Sequence, residues 1–167
     1  MGIPEGELLE RIARGDEAAL ESLYRAWYPR LVRFVLRIVR DPGLVEEVIN
    51  DVFLVIWRSA AAFRGDSHAS TWILGIAYRR ALKRAGQRRP ATRERAEDPD
   101  PEEVPCRRLE LEGCLARLNP EQRATVELTY YFGYSYREIA EIMKCPENTV
   151  KTRMFHARRA LRSLLEA

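Results

Sequence analysis

Five side chains close to the end of the chain, Lys151, Thr152, Phe155, His156 and Arg159, bring hydrogen-bond donors, positive charge and one flat apolar ring within nine residues. At 100° per residue they point away from Val150, Met154, Ala157, Leu161 and Leu164, which form a single apolar stripe. Such a set suits the edges of stacked bases: lysine and arginine donate to base acceptors or phosphates, and an outward ring meets a thymine methyl. A solvated basic helix is the plainer alternative. Phe155 counts against it, because an outward phenyl ring gains nothing in water. From Lys144 to Arg162 there are six basic side chains and one acid, Glu147, which adds a phosphate-seeking charge.

Other chemistries lack their residues. Cys106, Cys114 and Cys145 are odd in number and widely spaced, and the only histidines are His68 and His156. A structural zinc site needs four ligands at short paired spacings, so no metal or other cofactor is expected. Hydrolase, zinc-protease, dinucleotide and phosphate-loop motifs are absent, and the many carboxylates fall on solvated helix faces. An enzyme is therefore not expected.

The elements that must carry the five side chains read as a helix-turn-helix. Ser135 and Glu138 form an S-x-x-E capping box that opens SYREIAEIMK, Cys145-Pro146 makes a tight turn, and a last helix runs to the end. Ala140, Lys144 and Val150 stand at that motif's small, turn and apolar positions, with lysine where glycine is more usual. Upstream, a helix near Arg107–Leu118 precedes one restarted by Asn119-Pro120 and ended by Gly133.

The first half is also helical. Asp16 caps a helix expected to end near Trp27, and Pro29 is expected in the first turn of the next, with Leu31, Phe34, Val35 and Ile38 inward. Asp41-Pro42 opens a segment whose core stripe is Val45, Val48, Val52 and Ile56. Phe53, Leu54 and Trp57 lie off that stripe beside Glu47, Asn50 and Asp51, the pattern either of a central helix buried on several sides or of a docking face. After the polar break at 63–68, a helix from near Ser70 to about Arg84 interleaves Trp72 and Tyr78 with arginine and lysine, a composition suited to unstacked bases. Between Gly86 and Pro105 periodicity stops: eight basic residues and one acid over 79–95 give way to five acids over 97–103. That stretch reads as a linker.

GDEAALESLYRAWYPRLVRF, DPGLVEEVINDVFLVIW, FRGDSHASTWILGIA, and LNPEQRATVEL followed by YSYREIAEIMKCPENTVKTRMFHARRAL stand in one order that covers nearly everything outside the linker. In that order the chain resembles an extracytoplasmic-function (ECF) sigma factor, the minimal two-domain class of the primary sigma family. The resemblance implies an all-α protein: a region 2 bundle over 1–86, a flexible linker over 87–106 and a region 4 helix-turn-helix over 107–167. It implies that Glu47, Asn50, Asp51 and Leu54 bind the β′ clamp helices of RNA polymerase core. Phe63, Ser67, Trp72, Arg79, Arg80 and Lys83 would capture the −10 element, and Lys151, Thr152, Phe155, His156 and Arg159 would read the −35 element. It further implies the β flap, promoter DNA and an anti-sigma factor as partners, and a part in stress responses. Three positions depart from the family: Asn50 stands where glutamine is usual, Arg79 where asparagine is frequent and His156 where a basic residue is common.

The alternative is a stand-alone helix-turn-helix repressor or activator, which needs a dimer interface to span two half-sites. Nothing in the chain reads as a coiled coil. A pure interaction adaptor has no use for the basic helix. Charge balance is modest, 28 basic against 25 acidic residues, and no segment reads as a signal peptide or a membrane span, so a cytoplasmic location is expected.

Overall fold

The computed structural model describes residues 3–87 and 106–165, all helices and turns with no strand among them. The expected linker lies almost wholly outside the described residues, as does the side chain of Leu164.

Among the described residues eight α-helices follow in order: α1 Glu5–Ala13, α2 Glu17–Val39, α3 Pro42–Ser59, α4 Ala69–Gln87, α5 Cys106–Ala116, α6 Pro120–Tyr130, α7 Tyr136–Met143 and α8 Glu147–Leu165. Caps account for most of the starts. Asp16 accepts from the Ala19 amide at 3.0 Å, Asp41 from Gly43 at 3.0 Å, and Asn119 and Ser135 each head a complete capping box. The helix α1 was not expected; it buries Leu8, Leu9 and Ile12 against the bundle.

Pro29 does not start a helix. It lies inside α2, which runs unbroken for 23 residues. An internal proline loses one hydrogen bond and costs ~3 kcal/mol or more. Here its ring is on the exposed side, while Leu23, Trp27, Leu31 and Phe34 on the turns around it are fully buried. Burying a large apolar side chain contributes roughly 1.5–3 kcal/mol, so four of them outweigh the lost bond.

One hydrophobic core unites both halves of the chain. Trp27, Phe34, Val52, Ile56, Ile73 and Leu74 from the first half join Leu128, Ile139, Ile142 and Val150 from the second. The two groups of helices therefore stand packed together, α2 against α6 and α4 against α7. The sequence, which divides the chain into these two helical domains, leaves their relative placement open. Apolar faces on α6 and α7 with no partner in their own small bundle explain the closure.

Candidate nucleic-acid interface

The turn between α7 and α8 is built on Lys144, which adopts the left-handed conformation (φ 53°, ψ 48°) and donates its amide to α7. This is the position where glycine is usual, and lysine tolerates it at a cost of order 1 kcal/mol. Behind the turn, Val150, Met154 and Ala157 are fully buried and Leu161 is half-buried, so the expected stripe docks α8 on α6 and α7. Lys151, Thr152, Phe155, His156 and Arg159 are all exposed on the opposite side. Phe155 is 62% exposed with its ring edge-on to His156 at 5.5 Å, a large apolar surface left in water. Lys151 is held by Glu147 at 3.1 Å, and the Thr152 hydroxyl donates to the Asn148 carbonyl at 2.9 Å.

The second expected surface lies at the start of α4. Phe63 and Trp72 are half-buried ring to ring at 5.6 Å. Ser67 and Trp72 face a groove of about 710 Å³ whose other wall is α7 and the turn after it, including Arg137, Lys144 and Cys145. Arg79 enters the same groove by folding over Gly75, where a Cβ would sit 3.2 Å from its guanidinium and 3.4 Å from the Ile142 carbonyl of α7. Burial, with the nearby Arg80 charge second, holds its pKa below the usual arginine range. The Thr71 hydroxyl is buried here with no hydrogen-bond partner among the described residues. Arg79, Arg80 and Lys83 continue along α4 beside Val55 and Ile76.

The third expected surface is on α3. Glu47, Asn50 and Leu54 are exposed and Asp51 is half-buried, forming one polar strip with Leu54 as its apolar member. Phe53 does not belong to it: it is 6% exposed and packs on Tyr24 at 4.7 Å. Trp57 is half-buried against the core. The helix is buried on several sides, as a central helix would be, and leaves one narrow face exposed.

Residues that no motif singled out join the halves. Arg123 on α6 is 9% exposed and donates to the Arg37 carbonyl at 2.7 Å, the Ile38 carbonyl at 2.9 Å, and the Leu118 carbonyl. Burial pushes it down to about 10, still a cation at neutral pH. Glu127, 6% exposed, pairs with Arg33 and lies 3.7 Å from Arg37, whose guanidinium also binds Glu112 through two hydrogen bonds. Arg33 covers the Tyr131 ring at 3.4 Å. Nothing in the spacing of these arginines and glutamates betrays the pairing, because the partners are 75 to 94 residues apart.

A Sigma-70 region 2 model matches residues 23–90, and a Sigma-70 region 4 model matches residues 108–161. An ECF RNA polymerase sigma factor SigK of Mycolicibacterium vanbaalenii is 34% identical over 95% of this chain and 87% of its own length. The chain belongs to the ECF sigma factor family. The SigK of Mycobacterium tuberculosis is likewise 34% identical, over 95% of this sigma factor and 92% of its own chain. These relatives are ECF factors, and they do not carry the placement in the primary sigma family. Two solved structures share the fold. CnrH, solved with the cytosolic domain of CnrY, has a TM-score of 0.74 at 22% identity and covers 97% of both chains. RpoE of Bartonella quintana, solved with the anti-sigma factor NepR, has a TM-score of 0.69 at 21% identity and covers 88% of this chain and 96% of its own. Among the described residues no helix is long and apolar enough to cross a membrane.

Proposed function

We propose that this ECF sigma factor binds core RNA polymerase through the α3 strip of Glu47, Asn50, Asp51 and Leu54, and that its two halves then read the two promoter elements. In this reading residues 1–86 are region 2, 87–106 the linker and 107–167 region 4. Phe63, Ser67 and Trp72 capture unstacked −10 bases while Arg79, Arg80 and Lys83 follow the phosphates. In the −35 major groove, Lys151, Thr152, Phe155 and His156 meet base edges and Arg159 the backbone. The work is done in the cytoplasm, without a catalytic step or cofactor of its own.

The observation that carries this reading is the α8 face: five side chains suited to bases, all exposed, directly behind a buried stripe that fixes their direction. Contact with the β flap accompanies −35 reading. An anti-sigma partner is supported by RpoE of Bartonella quintana, solved with the anti-sigma factor NepR.

The test is run-off transcription from candidate promoters by purified core polymerase, with and without the protein. Promoter-specific transcripts only with the protein are expected. A tight sequence-specific footprint by the protein alone, with no effect on polymerase, would mean a stand-alone repressor.

A further inference from the structure

Tyr130 and Phe155 are the two most exposed large apolar side chains among the described residues, at 63% and 62%. Arg158 stands between them, one turn on from Phe155 in α8 and bonded to Tyr130 at the end of α6. Its Nε donates to the Tyr130 hydroxyl at 3.0 Å, and its guanidinium carbon lies 5.8 Å from the centre of that ring. Both residues are exposed, so core packing does not account for the pair. Neither belongs to the five side chains that suit base edges.

Arg158 is held differently from the cation that opens the helix. Lys151 is paired with the Glu147 carboxylate, which offsets its charge. Tyr130 is a neutral acceptor, so it orients the guanidinium and leaves the whole charge for another partner. With Nε engaged, the two terminal nitrogens of Arg158 donate to no acceptor among the described residues. That edge is a fork that matches two oxygens of one phosphate. The Tyr130 hydroxyl, having accepted from Arg158, still has its own proton to donate. At 100° per residue Arg158 falls on the flank of α8, between the buried stripe and the outward Phe155. A helix in the major groove turns its outward side chains to base edges and its flanks to the sugar-phosphate backbone.

We propose that Arg158 and Tyr130 form a phosphate clamp: Tyr130 holds the guanidinium by its Nε, and Arg158 binds one backbone phosphate of the −35 duplex, fixing the register of α8 in the groove. The inference rests on α8 being the −35 reader. The clamp has no base preference of its own; it positions Lys151, Phe155 and their neighbours against the base edges. Losing it weakens every −35 sequence by the same factor and removes one phosphate contact from the salt dependence.

The test uses holoenzyme assembled from core polymerase and the full chain, bound to promoter duplexes carrying several −35 sequences over a range of salt. Arg158→Ala is expected to lose about fivefold to tenfold in affinity on every −35 sequence, with the salt slope lower by about one. Arg158→Lys is expected to restore the slope and only part of the affinity. Tyr130→Phe keeps the ring and removes the hydroxyl; it is expected to lose about threefold at unchanged slope, and to add nothing to Arg158→Ala in the double variant. Replacing single phosphates of the −35 duplex with neutral methylphosphonates is expected to find one position where wild type and Arg158→Ala bind alike. Circular dichroism and thermal melts check the fold; if Arg158→Ala does not fold, Arg158→Gln takes its place. Folded variants with wild-type affinity and slope, or a lowered melting temperature with no change of slope and no such phosphate, would overturn the clamp. Run-off transcription separates the two readings. Specific transcripts from the wild type with none of the clamp effects leave only the clamp wrong; no specific transcripts from the wild type sink the sigma reading and the clamp with it.

Discussion

The Arg84 guanidinium of α4 is hydrogen-bonded to the Glu47 carboxylate of α3, tying the helix of the proposed −10 residues to the helix of the proposed docking strip. Both side chains are partly exposed, and pairs of this kind contribute no more than ~1 kcal/mol. Arg84 therefore occupies Glu47 without fixing it. Replacing Arg84 with alanine is expected to change thermal stability by less than ~1 kcal/mol and to raise affinity for core polymerase by up to about fivefold. A fall in core affinity, measured by competition binding, would place Arg84 itself on the polymerase.

The docking strip can be tested apart from the fold. Leu54 is 46% exposed and Asp51 half-buried, both off the buried Val45–Val48–Val52–Ile56 stripe. The double variant Asp51→Lys, Leu54→Ala is expected to lose core binding while its helical circular dichroism stays close to wild type. Loss of helix instead would show that the strip is structural.

Within α8, the proposed reading assigns specifying contacts to the early turns and positioning contacts to the later ones. Lys151 stands in the second turn, where a docked recognition helix meets base edges, while Arg162 is three turns further on and exposed. Lys151→Ala is expected to cost roughly 1–3 kcal/mol on the preferred −35 sequence and much less on others. Arg162→Ala is expected to weaken all sequences alike and to lower the salt slope by about one. Holoenzyme binding to a set of −35 variants at several salt concentrations measures both. Equal losses on every sequence would leave α8 as charge without readout.

The capping box of α7 gives a pH signature. Backbone and side-chain hydrogen bonds from Ser135 hold the Glu138 carboxyl below its usual 4.5. A depressed carboxylate stabilises the fold at pH above its unfolded value, and that contribution fades as pH falls through the folded one. Ser135→Ala is expected to lower stability by ~1 kcal/mol at neutral pH. The gap to wild type, followed by thermal melts, is expected to narrow between about pH 5 and about pH 3. A gap constant across that range would mean that the Ser135 hydroxyl, unlike the Ser135 amide that the variant keeps, does not lower the Glu138 pKa.

Much of this protein is legible along the chain because the responsible forces are local. Asp16, Asp41, Asn119 and Ser135 announce helix starts by bonding amides two or three residues away, and the α8 stripe follows from a fixed angle per residue. The exposed faces of α3 and α8 follow from the same periodicity. Local signals misled at Pro29, where proline chemistry says a helix begins and the burial of Trp27 and Leu31 on either side carries α2 straight through. Phe53 was ambiguous for a related reason: whether an off-stripe ring is covered depends on Tyr24, a residue of another helix. Which half packs on which was out of reach altogether. The seating of Arg123 in the end of α2 and of Gly75 against α7 joins residues far apart in sequence, through carbonyls and backbone that every residue possesses. A side chain shows its partner in the sequence only when the partner is near or chemically unusual; Arg123 binds main-chain carbonyls, and only the tertiary fold decides whose.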